Sequence, residues 1–445
     1  MLDNPIRLLK RYLNQDLPYH LDLIRGSHPE YFTRKSIISV KDILQQMLNR
    51  KNQTQDAELK SYYSSMNIDK PPVTDKGFFN ARKKFNPEAV RVMSNEYIAR
   101  IYDNYDDSID KWKGYVVLGI DGSKCIVPNT EENRIVFGVQ SGSSENQPAM
   151  ALISTLHDSL NNLKLDVQID GIDASERDLA KEHIDQYCDN YHQPGLFVFD
   201  RGYCSIRLID QIMSRKQHFL MRVKANDYKK YFDQVSVEED KELDVTFDRV
   251  NTNHLREDIK FRIHLMNTVY KIRFAKVVIG TDDEGNDIIE QLMTNLPKEE
   301  VSSEELKECY WLRWGTETSY NRLKNRMSTE EFSGYKPVLI KQDIYADAWL
   351  FNLVSLKIKE ADQKKPVEQK NGSYTVSRNF NKSLGTMKTY LLKALTSEDE
   401  QESSRLLNLI DENIDSALSW VKNGERNFER KKAVNKSKMS YRRTY

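Results

Sequence analysis

Two short apolar runs, each ending in an aspartate, limit what this chain can fold into. Tyr115-Val116-Val117-Leu118-Gly119-Ile120 leads into Asp121-Gly122-Ser123, and Leu196-Phe197-Val198-Phe199 leads into Asp200-Arg201-Gly202-Tyr203. Runs this short, β-branched and without a polar face predict buried strands. Residues 149–156 and 163–169 read as two more strands, and Asn161-Asn162 between them suits a hairpin turn. Ser175-Glu176-Arg177 opens a helix through Leu179, Ala180, His183 and Ile184; a second helix carries Ile206, Leu208, Ile209 and Ile212; residues 218–223 form a strand. The order strand, strand, strand, helix, strand, helix, strand predicts a mixed sheet with helices, not a regularly alternating wound fold.

The flanks have a different character. Residues 1–112 lack strand alternation and read as helical, with Val40, Ile43, Leu44, Met47 and Leu48 at amphipathic spacing. After Pro71-Pro72, Thr74 or Asp75 can cap a helix bearing Phe78, Phe79, Ala81 and Phe85 beside Arg82, Lys83 and Lys84. Aromatics next to a basic triplet suit a phosphate backbone, and equally a solvated surface helix. Residues 224–300 turn β-rich and charged, with strands expected at 261–265, 270–279 and 288–294. An insertion this long between core elements is functional or a subdomain. The core resumes over 301–360, and 361–445 comprises a linker, helices expected at 380–394 and 404–421, and a basic tail.

Composition narrows the chemistry. Lys+Arg and Asp+Glu are both 67 in 445 residues, so any basic surface for nucleic acid must be local. Cys125, Cys188, Cys204 and Cys309 have no paired metal spacing, which fits reduced thiols and a cytoplasmic setting. No signal peptide opens the chain, and no apolar run is long enough for a membrane. Phosphate-cradling glycine loops and nucleophile elbows are absent from the sequence.

The third acidic position comes from Tyr310-Trp311-Leu312-Arg313-Trp314-Gly315-Thr316-Glu317, running on to Lys324. As a helix, this stretch gathers Tyr310, Arg313, Glu317 and Lys324 on one arc, with Cys309, Leu312 and Ser319 on a packing side. Taken alone, Arg313 and Glu317 are an ordinary i, i+4 pair, and Asp-Gly suits a turn. Together, two strand-end aspartates and a helical glutamate are what a hard divalent cation wants: oxygen ligands with room for water.

Strand-Asp121-Gly-Ser, strand-Asp200-Arg-Gly-Tyr203 and Tyr310-x2-Arg313-x3-Glu317-x6-Lys324 resemble the DDE transposases of bacterial insertion sequences, the family marked by a Tyr-Arg-Glu-Lys signature around the third acid. Weaker likeness extends over Phe78 to Phe85 and Ser175-Glu176-Arg177. The resemblance implies an RNase H-like core, 113–223 and 301–360, interrupted by a β-rich insertion domain, 224–300. It implies Asp121, Asp200 and Glu317 as catalytic ligands of two Mg2+ ions, with Mn2+ able to substitute. Tyr310, Arg313 and Lys324 would hold phosphates, with Arg82, Lys83, Lys84, Arg201, Tyr203 and Trp314 as further DNA contacts. The expected partners are double-stranded DNA, both transposon-end inverted repeats and target, and a second copy of the chain in a synaptic homodimer; no membrane and no small-molecule substrate are expected. The expected place is the nucleoid of a bacterial-type cytoplasm. Some relatives stack a flipped base on a tryptophan of the insertion, but none of the five tryptophans here lies within 224–297. A DNA-binding protein derived from an inactivated transposase, and an RNase H-like nuclease without strand transfer, are the alternatives to a cut-and-paste enzyme.

Overall fold

The expected mixed sheet is built around β1 (Val116–Ile126). It is joined by β2 (Met150–Asp158), β3 (Leu163–Gly171), β4 (Gly195–Phe199), β5 (His218–Val223), β6 (Asp240–Val245), β7 (Tyr270–Thr281) and β8 (Asp287–Thr294). The computed structural model describes residues 1–140, 147–250, 252–281, 284–313, 319, 330–367, 370–371 and 374–422. Within these the sheet has eight strands in the order β3-β2-β1-β4-β5-β8-β7-β6. The first three strands run antiparallel, while β1, β4 and β5 are parallel. The strands of the 224–300 stretch extend this same sheet, because β8 pairs antiparallel with β5 and is followed by β7 and β6.

The central strands bury two faces. On β4, Leu196 and Val198 join Val117, Leu220, Leu306, Cys309 and Tyr310 in one apolar cluster. Phe197 and Phe199 point the other way, into the main core with Leu118 and Ile120. Period-two alternation therefore assigns odd-numbered β1 residues, Val117 onward, to the first face.

Helices α1 (Pro5–Gln15), α2 (Leu21–Arg25), α3 (Val40–Leu48), α4 (Gln55–Ser64), α5 (Asp75–Arg82) and α6 (Pro87–Asn104) precede the sheet. Further along lie α7 (Glu131–Phe137), α8 (Glu176–Asn190), α9 (Ile206–Ser214), α10 (Lys229–Phe232), α11 (Ile259–Asn267) and α12 (Ser303–Leu312). Then come α13 (Pro337–Lys364), α14 (Phe380–Thr396) and α15 (Glu400–Ser416), with a small sheet of β9 (Lys370–Asn371), β10 (Tyr374–Arg378) and β11 (Leu418–Lys422). None of the helices among the described residues is long and apolar enough to cross a membrane.

Three local expectations change. The strand expected at 261–265 is part of α11, whose Asp258 cap accepts the Phe261 N–H, and Phe261 packs under the Arg207 guanidinium. The helix expected over 404–421 ends at Ser416, and its Leu-Ser-Trp-Val continuation pairs with β10 as a strand. Arg82, expected beside Lys83 and Lys84 as a DNA contact, is fully buried, whereas both lysines are exposed. Its Nε donates to Gln342 at 2.8 Å and its Nη1 to Ser333 at 2.7 Å, and it pairs with Asp343. Arg50 approaches the same carboxylate and Asp347. These contacts fasten the N-terminal helices to α13.

Burial acts to raise the Asp343 carboxyl, yet Arg50 and Arg82 together hold it below the usual range. Removing one member strands buried charge, so Asp343→Asn is expected to cost about 3–5 kcal/mol. Urea unfolding measures this; a loss within about 0.5 kcal/mol, as for an ordinary surface change, would show that the network does not hold the helices.

A second buried cluster joins α6, β3 and α8. Arg91 holds Asp166, and His183 bridges Asp166 at 2.8 Å and Ser154 at 3.0 Å. The last three side chains have the order of a hydrolytic triad but are at most 1% exposed, so they serve packing. Against the effect of burial, Arg91 and His183 push the Asp166 carboxyl far down. Because the folded value lies below the unfolded one, its stabilisation is complete above about pH 3.9 and drains away as pH falls further. Asp166→Asn should flatten the acid limb of a stability-against-pH curve; an unchanged limb would count against the ion pairs.

Candidate active site

Asp121 does not end its strand. Past Gly119 the recorded β4 pairing stops, but β1 continues to Ile126 against β2, with Asp121 opposite Thr155. The antiparallel partner is why Asp121-Gly122 is extended rather than a turn. Continuing the Gly119↔Val198 register by two residues brings Asp121 level with Asp200. Both aspartates belong by alternation to the face that packs on α12. Each is half-buried; Asp121 accepts the Gly122 N–H at 3.0 Å and Asp200 the Arg201 N–H at 2.8 Å.

Helix α12 arrives on this face because Ser302 and Glu305 form a capping box and Leu306, Cys309 and Tyr310 are buried. Tyr310 and Arg313 were expected on a displayed arc; they are instead 7% and 8% exposed, with the Arg313 guanidinium 5.6 Å from the Tyr310 ring centre. Packing against the acidic end of the sheet draws them inward. Burial, reinforced by Asp200, raises the Tyr310 phenol, so it stays protonated. Trp314, Glu317 and Lys324 lie outside the described residues.

Two cations that the sequence reading passed over flank the aspartates. Arg222, on β5, places Nη1 3.7 Å from Asp200 while its guanidinium is gripped by Glu290 of β8. Lys164, on β3, is buried and donates to Ser319 Oγ at 2.6 Å and Thr155 Oγ1 at 3.3 Å. Burial pushes its ammonium down to about 7, opposed by Asp121. For Arg222 the available signal was a single Arg in the apolar run Phe219-Leu220-Met221-Arg222-Val223; Lys164, in the alternating β3, gave none.

Behind the Asp200 turn, Ser175-Glu176-Arg177 acts as a brace. The Tyr203 hydroxyl donates to Glu176 at 2.9 Å and Arg177 Nε donates to the Gly202 carbonyl at 3.0 Å. Tyr203 is thus buried and engaged rather than displayed, whereas Arg201 is exposed. Gly122 closes the brace: a Cβ there would sit 2.9 Å from Glu176 Cδ. Beyond it opens a cleft lined by Arg177, Lys181, Arg207, Lys229, Lys230 and Tyr231, with Asp178 and Asp227 among its walls. This is local basic surface on a chain of zero net charge.

The donor set suits a hard cation in kind: two carboxylates, one on β1 and one just past the end of its parallel neighbour β4. Among the described residues no group of three such ligands converges, and the remaining acid of the expected set, Glu317, is not among them. Asp121 and Asp200 are the residues that would hold such an ion.

Fold and site together define an α/β protein whose mixed sheet presents paired acids beside a cation-bearing helix. Residues 141–353 match the family of the transposase DDE domain. Transposase InsG of insertion sequence element IS4, from Escherichia coli K12, is 22% identical over 342 residues, 73% of this chain and 69% of that protein. The transposase of insertion sequence element IS421, from Escherichia coli, is 38% identical over 56 residues, which is 13% of this chain and spans only 15% of that relative. A solved piggyBac transposase synaptic complex with hairpin DNA has a TM-score of 0.42 and 12% identity, covering 93% of this chain and 86% of that one. Over residues 141–353 the chain is thus similar to the DDE domain of transposases, and over most of its length to a transposase of an insertion sequence.

The brace yields a stability test. Tyr203→Phe should cost about 0.5–1.5 kcal/mol, and Gly122→Ala, by displacing Glu176, should remove the same contact. Because both act on one interaction, the double variant should lose no more than the larger single loss. Additive losses in thermal unfolding would mean that Glu176 does not link them.

Proposed function

We propose that this chain is a divalent-metal-dependent transposase that cuts DNA at the inverted repeats of its own element and joins the freed ends to a target. The observation that carries this reading is the β1–β4 register up to Gly119↔Val198, whose continuation by two residues would set Asp121 level with Asp200. The order β3-β2-β1-β4-β5, antiparallel then parallel, supports an RNase H-like core, with β6 to β8 as its insertion. Asp121, Asp200 and Glu317 hold two Mg2+ ions, for which Mn2+ substitutes. When bound, such ions supply Lewis-acid stabilisation of the phosphoryl oxygens and activation of the attacking water or 3′ hydroxyl.

The chain's own groups orient the substrate. Protonated Tyr310 donates to a phosphate oxygen, and Arg313, beside it, supplies charge and a planar donor fork. Lys324 extends this contact along the strand. The basic cleft behind the Asp200 turn and exposed Lys83, Lys84 and Arg201 offer further backbone contacts, which position DNA without reading its sequence. Joining two ends calls for two copies of the chain in the synaptic complex.

Asp121→Asn, Asp200→Asn and Glu317→Gln should each abolish nicking of a transposon-end duplex in Mg2+ while leaving duplex binding. Scoring joined product as well as nicks separates transposition from hydrolysis alone. Nicking that survives any one of these changes would sink the assignment.

A further inference from the structure

We propose that Lys164 is a positioning residue that anchors the chain at Ser319, two positions past Glu317, to the sheet face carrying Asp121. The inference rests on the transposase reading for its functional consequence, and on geometry for the anchor itself. Lys164 is 1% exposed, and its Nζ meets Ser319 Oγ at 2.6 Å and Thr155 Oγ1 at 3.3 Å. Thr155 is the residue paired with Asp121 across β1 and β2. Ser319 is fully buried, so the contact is inside the protein and not a surface encounter.

The lysine is itself held from behind. Asn352 of α13 accepts the Lys164 N–H at 2.7 Å and donates to its carbonyl at 2.8 Å. The neighbouring Phe351 ring lies 5.8 Å below the ammonium. From this support the side chain reaches to Thr155 and Ser319, and Thr155 is the cross-strand partner of Asp121. Packing alone would favour an apolar residue here, because an interior ammonium pays desolvation that methionine of similar length would not. The cost is offset by what the charge does: it fixes a hydroxyl two positions along the chain from the third acid of the proposed site. An active-site segment displaced by about 1 Å can lose on the order of 100-fold in rate.

The test compares the full-length wild type with Lys164→Met and Ser319→Ala. Amide hydrogen exchange around Ser319 should quicken by about tenfold or more in either variant, as expected for local opening, while the global unfolding midpoint of Lys164→Met stays level or rises. Nicking in Mg2+ should fall by about 100-fold, with transposon-end binding retained. The two changes should be non-additive, since they remove one contact. Unchanged exchange and unchanged nicking in both variants would overturn the proposal. So would a global loss of stability in Lys164→Met with Ser319→Ala silent, which marks a purely structural lysine. A wild type that cuts in neither Mg2+ nor Mn2+ would overturn the transposase reading instead, and exchange around Ser319 would still decide the anchor.

Discussion

Parallel pairing of β1 with β4 sets the spacing of the two aspartates, and the remaining elements are arranged around that pairing. Neighbouring strands stand about 4.8 Å apart, so side chains on the same face of β1 and β4 are close neighbours. The pairing requires both strands to be buried on two faces, which is why each acid is preceded by an apolar run instead of an alternating one. Beyond Gly119, β1 keeps only its antiparallel partner β2. That change of partners opens the sheet beside Asp121 while continuing its backbone hydrogen bonding, so the acid is held on a stiff strand rather than on a loop.

Helices secure this arrangement from two sides. On one face, α12 lies along the cluster of Val117, Leu196, Val198 and Leu220. At the β3 edge, α13 supplies Asn352, whose amide satisfies the outward N–H and C=O of Lys164 as a further strand would. Helix α13 is also where Arg50 and Arg82 terminate, so the N-terminal helices and the acidic sheet share one support. An ionic junction of this kind is costly to form and specific in geometry, since few arrangements satisfy two buried arginines at once.

Much of this was legible in the residues. The apolar runs ending at Asp121 and Asp200, the hairpin at Asn161-Asn162 and the Thr74 cap each follow from local chemistry, and each is present. What local pattern could not carry was partnership. Arg82 sits in a basic triplet, and only the position of Asp343, far along the chain, decides that it turns inward. The 261–265 stretch has strand-like residues, but an aspartate cap and one buried leucine suffice to make it helical. Tyr203 looked like a displayed aromatic until Glu176 came into reach across the Asp200 turn.

The charges around the acids also explain how such a site can be folded without collapsing its own carboxylates. Two half-buried aspartates at neighbouring strand positions repel one another, and each needs a counter-charge that a cation can later outcompete. Arg222 serves Asp200 at 3.7 Å, yet it is committed more closely to Glu290 of β8, so its hold on Asp200 is partial. Lys164 also bears on Asp121 electrostatically, and it donates to the hydroxyls of Thr155 and Ser319. The pairing of β8 with β5 is what brings Glu290 to Arg222, so the guanidinium next to Asp200 is held by a carboxylate of the 224–300 stretch.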